Sequence, residues 1–364
     1  MGGTSRRVMA WLLGAVTLIL AAASFLPLVE TNAWWVRYLD FPRAQLGMVL
    51  AAALPAFALL AGWRGPGRGA VLFLGAAALG YQGWKLHPYL PVMPPMAVTA
   101  GTCPPEDRLR VLIANVKREN RDARALLARV AEADPDLLLV METNGWWDRA
   151  LAPLDATYPH SVQHIPEEAT YYGLHLFAKR PLDAPEIVLG YGPDTPAVMT
   201  GVRMPSGAVI GFHGVHPRPP VSFERSTARR DATILRAALD VAAGGRPAIL
   251  AGDLNAVPWE RVTRRAMRLG SLLDPRVGRG LIPTYDSEDV LKRWPLDQIL
   301  HTAELTVMDV GRLDPIDSDH FPFMATLCHD PSAAARQQPP APLPGDMAEA
   351  RASLAAAEAR AASR

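Results

Sequence analysis

The sequence predicts an α/β domain at residues 106–330 that follows a group of membrane-spanning helices. Charged residues are few in residues 1–100, and nearly all acids and bases lie beyond residue 104. Residues 8–29 and 44–63 contain no charged side chain, and about 20 apolar residues cross a bilayer core. Beyond residue 106, short apolar runs typical of strands are interspersed with helical patterns. These observations separate a membrane anchor from an α/β domain.

Residues 1–86 are predicted to form a transmembrane anchor of three helices, at about residues 8–29, 44–63 and 69–86. The third segment is shorter, but Lys85 could snorkel to the membrane surface while Trp84 lies in the interface. A cleaved signal peptide is the alternative for the first segment, because arginines precede its apolar run and small residues follow. The second long apolar segment favours the anchor.

Positive charges predict the orientation of these helices. Arg6 and Arg7 precede the first helix, and Arg64 and Arg68 lie between the second and the third, so both positions favour the cytoplasm. Three spans therefore place the domain outside the cytoplasm, whereas two would place it inside. We predict a multi-pass protein of a bacterial inner (cytoplasmic) membrane, with its α/β domain periplasmic or otherwise extracytoplasmic.

Two further segments flank the α/β domain. Residues 87–105 are rich in proline, which suits a semi-rigid linker that lifts the domain off the membrane. Residues 331–364 are rich in alanine, proline and charged residues without an apolar face, which predicts a disordered or partly helical tail. Cys103 and Cys328 bracket the domain and could form a disulfide in an oxidising compartment, but the sequence alone leaves this open.

Within the domain, apolar runs predict strands at residues 109–116, 136–142, 174–177, 208–213, 248–251, 294–300 and 317–327. Helical spacing of apolar residues predicts a helix at residues 120–133, which stops before Pro135, and a second helix at residues 223–243. The second helix carries several arginines, which we expect to form a solvated face.

The stretch Gly252-Asp253-Leu254-Asn255 follows one of the most apolar of these runs. Because side chains alternate along an extended chain, Asp253 and Asn255 can point the same way where the sheet opens to solvent. A carboxylate beside a carboxamide suits a metal, a water or a phosphate oxygen. The alternative is an ordinary strand followed by an Asx turn.

Polar side chains end several predicted strands in succession. These residues are Asn115, Glu142, His216, Asp253, Asn255, Asp297, Asp319 and His320. One such residue is ordinary turn chemistry, but so many oxygen and imidazole donors in one domain favour a binding or catalytic site. Hard oxygen ligands suit Mg²⁺ or Mn²⁺, and the lack of nearby cysteines or a paired-histidine helix disfavours zinc.

In type and order these motifs resemble those of the endonuclease/exonuclease/phosphatase superfamily, which includes deoxyribonuclease-I-like enzymes. The resemblance covers residues 109–327, and its motifs are Asn115 ending the first strand, Asp134-Pro135-Asp136 through Glu142, Val215-His216, Gly252-Asp253-Leu254-Asn255, Leu296-Asp297-Gln298-Ile299-Leu300 and Ser318-Asp319-His320. It implies a four-layer α/β sandwich, in which two mixed sheets lie face to face between helices and the site lies at one edge.

The resemblance also implies a metal-dependent phosphoester hydrolase, of the nuclease, phosphodiesterase or phosphatase class, that uses in-line attack of an activated water. Glu142, with Asn115 and Asp319, would bind the divalent metal, Mg²⁺ or Mn²⁺. Asp253 would take the proton from the water, and Asn255 would hold that water or a phosphate oxygen.

Two histidines would act on the phosphate. Asp297 would orient His320 and favour its imidazolium form, and His216 would act from the other side. In the deoxyribonuclease branch a glutamate pairs with the latter histidine from a strand where this chain has two tyrosines, so His216 lacks that partner. Tyr172, or the tyrosine before it, and Arg218 are candidate substrate-binding residues. The alternatives for them are aromatic packing and a solvated loop charge.

The substrate is predicted only as a class. Acidic residues outnumber basic ones between residues 106 and 330, whereas tight duplex binding relies on a basic surface. A phospholipid head group, a small phosphate ester or a short nucleic acid therefore remains open, and no protein partner is inferred. The alternative from another class is a catalytically inactive membrane scaffold or binding protein that uses the same fold.

Overall fold

The structure, a computed structural model, describes residues 3–62, 65–167, 172–190, 195–219 and 226–362. Its first helices are α1 (Gly3–Phe25), α2 (Trp34–Tyr38), α3 (Arg43–Ala61) and α4 (Pro66–Leu86). The three long helices, α1, α3 and α4, pack against one another as a bundle. Two of the described helices, at Thr4–Leu28 and Arg43–Ala61, are long and apolar enough to cross a membrane by length and composition. The third predicted segment forms helix α4, but α4 is not among the helices that are long and apolar enough to cross a membrane by the same criteria.

A buried hydrogen-bond network joins the three long helices at one end of the bundle. Arg43 donates to Asp40 Oδ1 and, over 2.8 Å, to Gln82 Oε1, and Gln82 donates to Ser24 Oγ over 2.8 Å. Buried polar groups are costly unless they are hydrogen-bonded, so this network fixes the relative positions of the helix ends. The α1–α3 connection and the linker after α4 both leave from this end and meet the α/β domain.

Two sheets form the centre of the α/β domain. The strands of the first sheet are β1 (Arg108–Asn115), β2 (Leu137–Thr143), β3 (His160–His164), β4 (Gly173–Ala178), β10 (Leu305–Arg312) and β11 (Phe323–His329). Those of the second are β5 (Leu182–Leu189), β6 (Pro196–Arg203), β7 (Val209–Val215), β8 (Ala248–Asp253) and β9 (Asp297–His301).

Within the described residues, the strand orders are β10-β11-β1-β2-β4-β3 and β5-β6-β7-β8-β9. β1 is parallel to β2 and β7 is parallel to β8, while the other neighbouring strands are antiparallel, so both sheets are mixed.

Helices cover the outer faces of both sheets. They are α5 (Arg124–Ala133), α6 (Gly145–Leu151), α7 (Ala228–Gly244) and α8 (Arg261–Leu269). Leu139 of the first sheet and Phe212 of the second belong to one buried cluster between the sheets. Because helices cover the other faces, the central strands are buried on both sides and are apolar almost throughout. Trp147 of α6 packs on the first sheet, and Ile234 of α7 packs on the second. The predicted four-layer α/β sandwich is thus confirmed.

The segments that flank the domain pack on it. The tail is partly helical, which is one of its two predicted states, whereas the linker differs from the predicted spacer. In the linker, Val98 N donates to Gln337 Oε1 over 2.6 Å, and Arg279 donates to the carbonyl oxygen of Ala97 over 2.8 Å. In the tail, helix α9 (Asp346–Ala362) buries Ala350 and packs on α7. The tail has few large apolar residues, so its sequence shows no apolar helix face. Alanine side chains are small, however, and allow two helices to pack closely. The linker therefore does not lift the domain away from the bundle.

The two cysteines form the disulfide that the sequence left open. Cys103 and Cys328 are bonded with their Cα atoms 5.8 Å apart, and 225 positions of sequence separate them. Cys328 lies in β11, so the bond attaches the end of the linker to the first sheet.

Salt bridges fasten the α1–α3 connection to the domain. Arg37 of α2 donates to Glu260 Oε1 from Nη2 over 2.7 Å, and its Nη1 lies 3.6 Å from Asp231 Oδ2. Arg230 pairs with the same two carboxylates. The predicted solvated face of the second helix is therefore wrong for Arg229 and Arg230, which are buried. One of the acids that neutralise Arg230 is Glu260, which is distant in sequence, so the helical pattern alone cannot reveal the pairing. Residues 223–225 of the predicted helix lie outside the described residues.

Substituting Arg37 by alanine is expected to destabilise the protein by about 3–5 kcal/mol, because Glu260 would stay buried with fewer cationic partners. The midpoint of thermal unfolding of the detergent-solubilised chain measures this loss. Arg236 of α7, which is exposed and pairs with Asp240, supplies the matched control, Arg236→Ala, with little expected change. Equal midpoints for Arg37→Ala and wild type would contradict the role of Arg37.

Candidate active site

The predicted polar residues converge where strands of both sheets end. Asn115 is the last residue of β1, and Glu142 is the last but one of β2, the parallel neighbour of β1. His216 follows β7, and Asp253 ends β8, which is parallel to β7. Because parallel strands end on the same side, the topology gathers these four side chains at one edge of the sandwich.

Asn115 joins the two carboxylates of this edge. Its Nδ2 donates to Glu142 Oε1 over 2.9 Å and to Asp253 Oδ2 over 3.1 Å, and its Oδ1 accepts from Lys117 N over 3.1 Å. Glu142 has a φ of 62° and lies at a shift of register between β2 and β4. Left-handed backbone is unfavourable for such a residue and is typical of functional sites. In this arrangement Asn115 orients the carboxylates through its amide nitrogen.

Gly252 allows β8 to approach the turn after β7. Its φ is 143°, and a Cβ atom there would lie 1.8 Å from the carbonyl oxygen of Val215. Only glycine fits such an approach. One residue on, Asp253 Oδ1 accepts from Asn255 N over 2.9 Å, and Asn255 Nδ2 donates to the carbonyl oxygen of Pro217 over 2.9 Å. The Asx turn considered for this stretch is therefore present, and it holds Asn255 at the site.

His320 lies between two carboxylates. Its Nδ1 is 2.8 Å from Asp297 Oδ2, and its Nε2 is 3.5 Å from Asp253 Oδ2. Ser318 Oγ accepts from His320 N over 3.1 Å and donates to the carbonyl oxygen of Asn115 over 2.7 Å, which fixes this loop to β1. Burial alone would lower the pKa of His320, but Asp297 and Asp253 outweigh it and raise the pKa to about 10. His320 is therefore an imidazolium at neutral pH.

The charges of the histidines act back on Asp253. Burial alone would raise the pKa of Asp253, but His320 and His216 hold it well below its usual range. His216 Nε2 lies 3.6 Å from Asp253 Oδ2 and 3.7 Å from Glu142 Oε1. Burial opposes the charged form of His216, yet these carboxylates raise its pKa. Both ring nitrogens of His216 are buried, and Nε2 faces the two carboxylates, while Nδ1 has no hydrogen-bond partner among the described residues.

A cavity of about 360 Å³ opens at this edge. Glu142, Asp253, Asn255, Asp319 and His320 all line it. Carboxylate and amide oxygens are the donors that Mg²⁺ and Mn²⁺ prefer, so this donor set fits the predicted metal.

A second donor group lies deeper in the site. Asp253, Asp297 and His320 have ligand atoms within 4.8 Å of one another. His320 Nδ1 contacts Asp297 Oδ2 and His320 Nε2 faces Asp253, so the three side chains form a chain of ion pairs, and Asp297 Oδ1 has no hydrogen-bond partner among the described residues.

The substrate-binding candidates lie beside His216. The rings of Tyr172 and His216 are 5.3 Å apart, and the guanidinium carbons of Arg118 and Arg218 lie 5.4 Å and 5.6 Å from the centre of the tyrosine ring. Burial and Glu142 raise the pKa of Tyr172 to about 12, so its hydroxyl stays protonated. Tyr171, the other tyrosine considered, lies outside the described residues.

One wall of the cavity could not be anticipated from the sequence. Tyr38 and Phe41, from the connection between α1 and α3, stack with ring centres 5.2 Å apart and lie edge-on to Trp294 at 5.6 Å and 5.5 Å. Tyr285 continues this aromatic wall to within 4.9 Å of the His320 ring. Lys117 also lines the cavity. Its position two residues after Asn115, just beyond the end of β1, is a sequence feature that could have indicated a site residue.

Comparison with known proteins gives one family. A family model described as the endonuclease/exonuclease/phosphatase family matches residues 112–320, more than half of the chain. No curated protein matches the sequence.

Solved structures share the fold at low sequence identity. A humanized TDP2 of D. rerio carrying 14 mutations has 16% identity and a TM-score of 0.51, covering 61% of this chain and 99% of its own. An endonuclease/exonuclease/phosphatase from Bacteroides vulgatus has 14% identity and a TM-score of 0.51, with the same coverage.

The pairing of His320 with Asp297 is expected to make stability depend on pH. A raised histidine pKa contributes stability that is complete below the unfolded value of 6.5 and is lost as the pH rises through about 10. Asp297→Asn should therefore lower the free energy of unfolding by about 3–5 kcal/mol near pH 6.5. The loss should become progressively smaller as the pH approaches about 10. Thermal unfolding across this range measures the difference. The exposed Asp309→Asn is the control, and a penalty for Asp297→Asn that stays constant with pH would contradict the pairing.

Proposed function

Because the chain belongs to the endonuclease/exonuclease/phosphatase family, we propose that it is a divalent-metal-dependent phosphoester hydrolase held at a membrane. The observation that carries this proposal is the contact of Asp253 with both histidines, at 3.5 Å from His320 and 3.6 Å from His216, at the base of an open cavity. Two buried imidazoles of raised pKa around one carboxylate form a site for an anion and an attacking water.

Asp253 is proposed as the base that takes the proton from water. Its low pKa in the free site keeps it ionised, but it also makes it a weak proton acceptor. A phosphate that attracts His320 and His216 would weaken their hold on Asp253 and raise its pKa. Substrate binding would thereby activate the base, and Asn255, fixed by Pro217, would orient the water.

Charge stabilisation is assigned to the two histidines. His320, held as imidazolium by Asp297, would donate from Nε2 to a phosphate oxygen, and His216 would donate from the other side. Glu142 and Asp319, with Asn115 orienting Glu142, would hold Mg²⁺ or Mn²⁺. When bound, that ion would neutralise charge on the phosphate.

The cavity favours a phosphoester that carries an apolar or aromatic group. Part of its lining is charged, and the adjoining aromatic wall consists of Tyr38, Phe41, Tyr285 and Trp294. Such a wall suits a nucleobase or an apolar alcohol next to the phosphate. The excess of acidic residues in the domain disfavours tight binding of duplex nucleic acid.

Asp253→Asn and Glu142→Gln are each expected to lower kcat/KM by about 10²–10⁴-fold, because each removes a charge required for proton transfer or metal binding. The assay is a panel of bis(4-nitrophenyl) phosphate, 4-nitrophenyl phosphate, single-stranded DNA and phospholipid with Mg²⁺ or Mn²⁺. Asp309→Asn and Glu132→Gln, both exposed, are the matched controls and should keep full activity. A folded wild-type chain that hydrolyses no member of the panel would favour the inactive scaffold.

We also propose that the domain is extracytoplasmic in a bacterial inner membrane. Arg6 and Arg68 lie toward the end of the helix bundle that is opposite the domain. The α1–α3 connection and the linker after α4 lie at the domain end, as expected if all three long helices span. The disulfide of Cys103 and Cys328 fits an oxidising compartment.

Alkaline phosphatase fused after Thr102 is expected to be active in a bacterial host, because that enzyme needs disulfides that form only outside the cytoplasm. A fusion after Ala61, before the predicted cytoplasmic loop, is the matched control and should be inactive. The reverse pattern would contradict the orientation.

A further inference from the structure

A second polar cavity lies between the helix bundle and the α/β domain. It has a volume of about 160 Å³ and shares no lining residue with the active-site cavity. The charged residues that line it are Asp40, Arg43, Lys85, Arg261, Arg264 and Arg268. Five cations against one carboxylate make it strongly basic.

Part of this positive charge is neutralised by the protein. Arg43 pairs with Asp40, Arg261 pairs with Glu30, and Arg268 donates to Asp346 over 2.6 Å. Only the first of these carboxylates belongs to the cavity lining.

Two cations remain without a carboxylate. Lys85 Nζ donates to the carbonyl oxygen of Trp259 over 3.3 Å, and no carboxylate among the described residues pairs with it. The guanidinium of Arg264 has no hydrogen-bond or ion-pair partner in the part of the chain that the structure describes. Lys85 is half-buried and Arg264 is exposed, and Asp40 is the one carboxylate in the lining of this cavity. The excess of positive charge around a shared polar space favours an anion there.

The position of the cavity indicates where that anion comes from. Leu28 follows α1, Arg43 begins α3 and Lys85 lies one residue before the end of α4, so the cavity lies where the apolar helices end. Trp84 and Tyr81 lie at the same level, with the Lys85 ammonium 5.6 Å and 5.8 Å from their ring centres. Aromatic rings and snorkelling lysines are typical of the membrane interface.

We propose that this basic cavity binds a phosphate group, and that the source is the head group of an anionic phospholipid. The proposal rests on insertion of the helix bundle in a membrane, but it does not involve the hydrolytic site. A phosphate there would join Lys85 of the bundle to Arg264 of α8, through charge-assisted hydrogen bonds. The lipid would thus fasten the domain to the anchor, beside the salt bridges of Arg37.

Thermal unfolding of the full-length chain in neutral detergent tests this site. Phosphatidylglycerol is expected to raise Tm, whereas zwitterionic phosphatidylcholine is not. In the double variant Lys85→Gln/Arg264→Gln, the concentration of phosphatidylglycerol that gives half of the shift should rise at least about tenfold. Arg149→Gln, which removes an exposed arginine of α6, is the matched control and should keep the wild-type shift.

Inorganic phosphate forms a separate arm that distinguishes the two sources. A shift with phosphatidylglycerol alone supports the lipid, and a shift with inorganic phosphate that the double variant loses identifies a free phosphate instead. Equal shifts in wild type and double variant, or no shift with either ligand, would overturn the site.

Folding and function are checked independently of this readout. If the double variant unfolds without ligand, Lys85→Arg/Arg264→Lys, which retains both charges, must restore the shift. Hydrolysis takes no part in the measurement, so failure of the proposed enzymatic function would leave this result unchanged.

Discussion

The site depends on one close approach of backbone to backbone, between Gly252 and Val215. Because no side chain stands between them, the end of β8 lies against the turn after β7 and brings Asp253 within 3.6 Å of His216. The Asx turn that follows can then hold Asn255 on Pro217. A larger residue at position 252 would separate the two strand ends, and with them the carboxylate from its imidazole partner.

Electrostatic balance extends this constraint across both sheets. Asp253 lies between two imidazoles, His320 lies between two carboxylates, and the neutral amide of Asn115 donates to both Glu142 and Asp253. Each charge is stabilised by its neighbours, so the site can be buried without neutralisation. The arrangement also leaves every member sensitive to an incoming anion, because a phosphate changes the field at all of them together.

The sequence predicted those parts of the site that depend on local pattern. Strand ends follow from apolar runs, so Glu142 and Asp253 could be placed where β2 and β8 end. The prediction that Asp297 and His320 also end strands is wrong, because Asp297 begins β9 and His320 precedes β11. Asp297 still lies at the same edge, since β9 is antiparallel to β8 and pairs Asp297 with Asp253. Tyr38 and Phe41 could not be placed at the site, because nothing in a connection between apolar helices indicates that it docks more than two hundred positions away. Arg230 was assigned to solvent for the same reason: its partner Glu260 becomes visible only once α7 and α8 are packed.

Tyr38 and Phe41 make the connection between α1 and α3 part of the aromatic wall of the cavity. A truncated chain without its first helices would keep the carboxylates and imidazoles of the site, but its cavity would lack the part of the wall that Tyr38 and Phe41 form. Under the proposed function, such a fragment would keep the groups that act on the phosphate and lose part of the surface that contacts the rest of the substrate. The first helices would then contribute to the choice of substrate as well as to location.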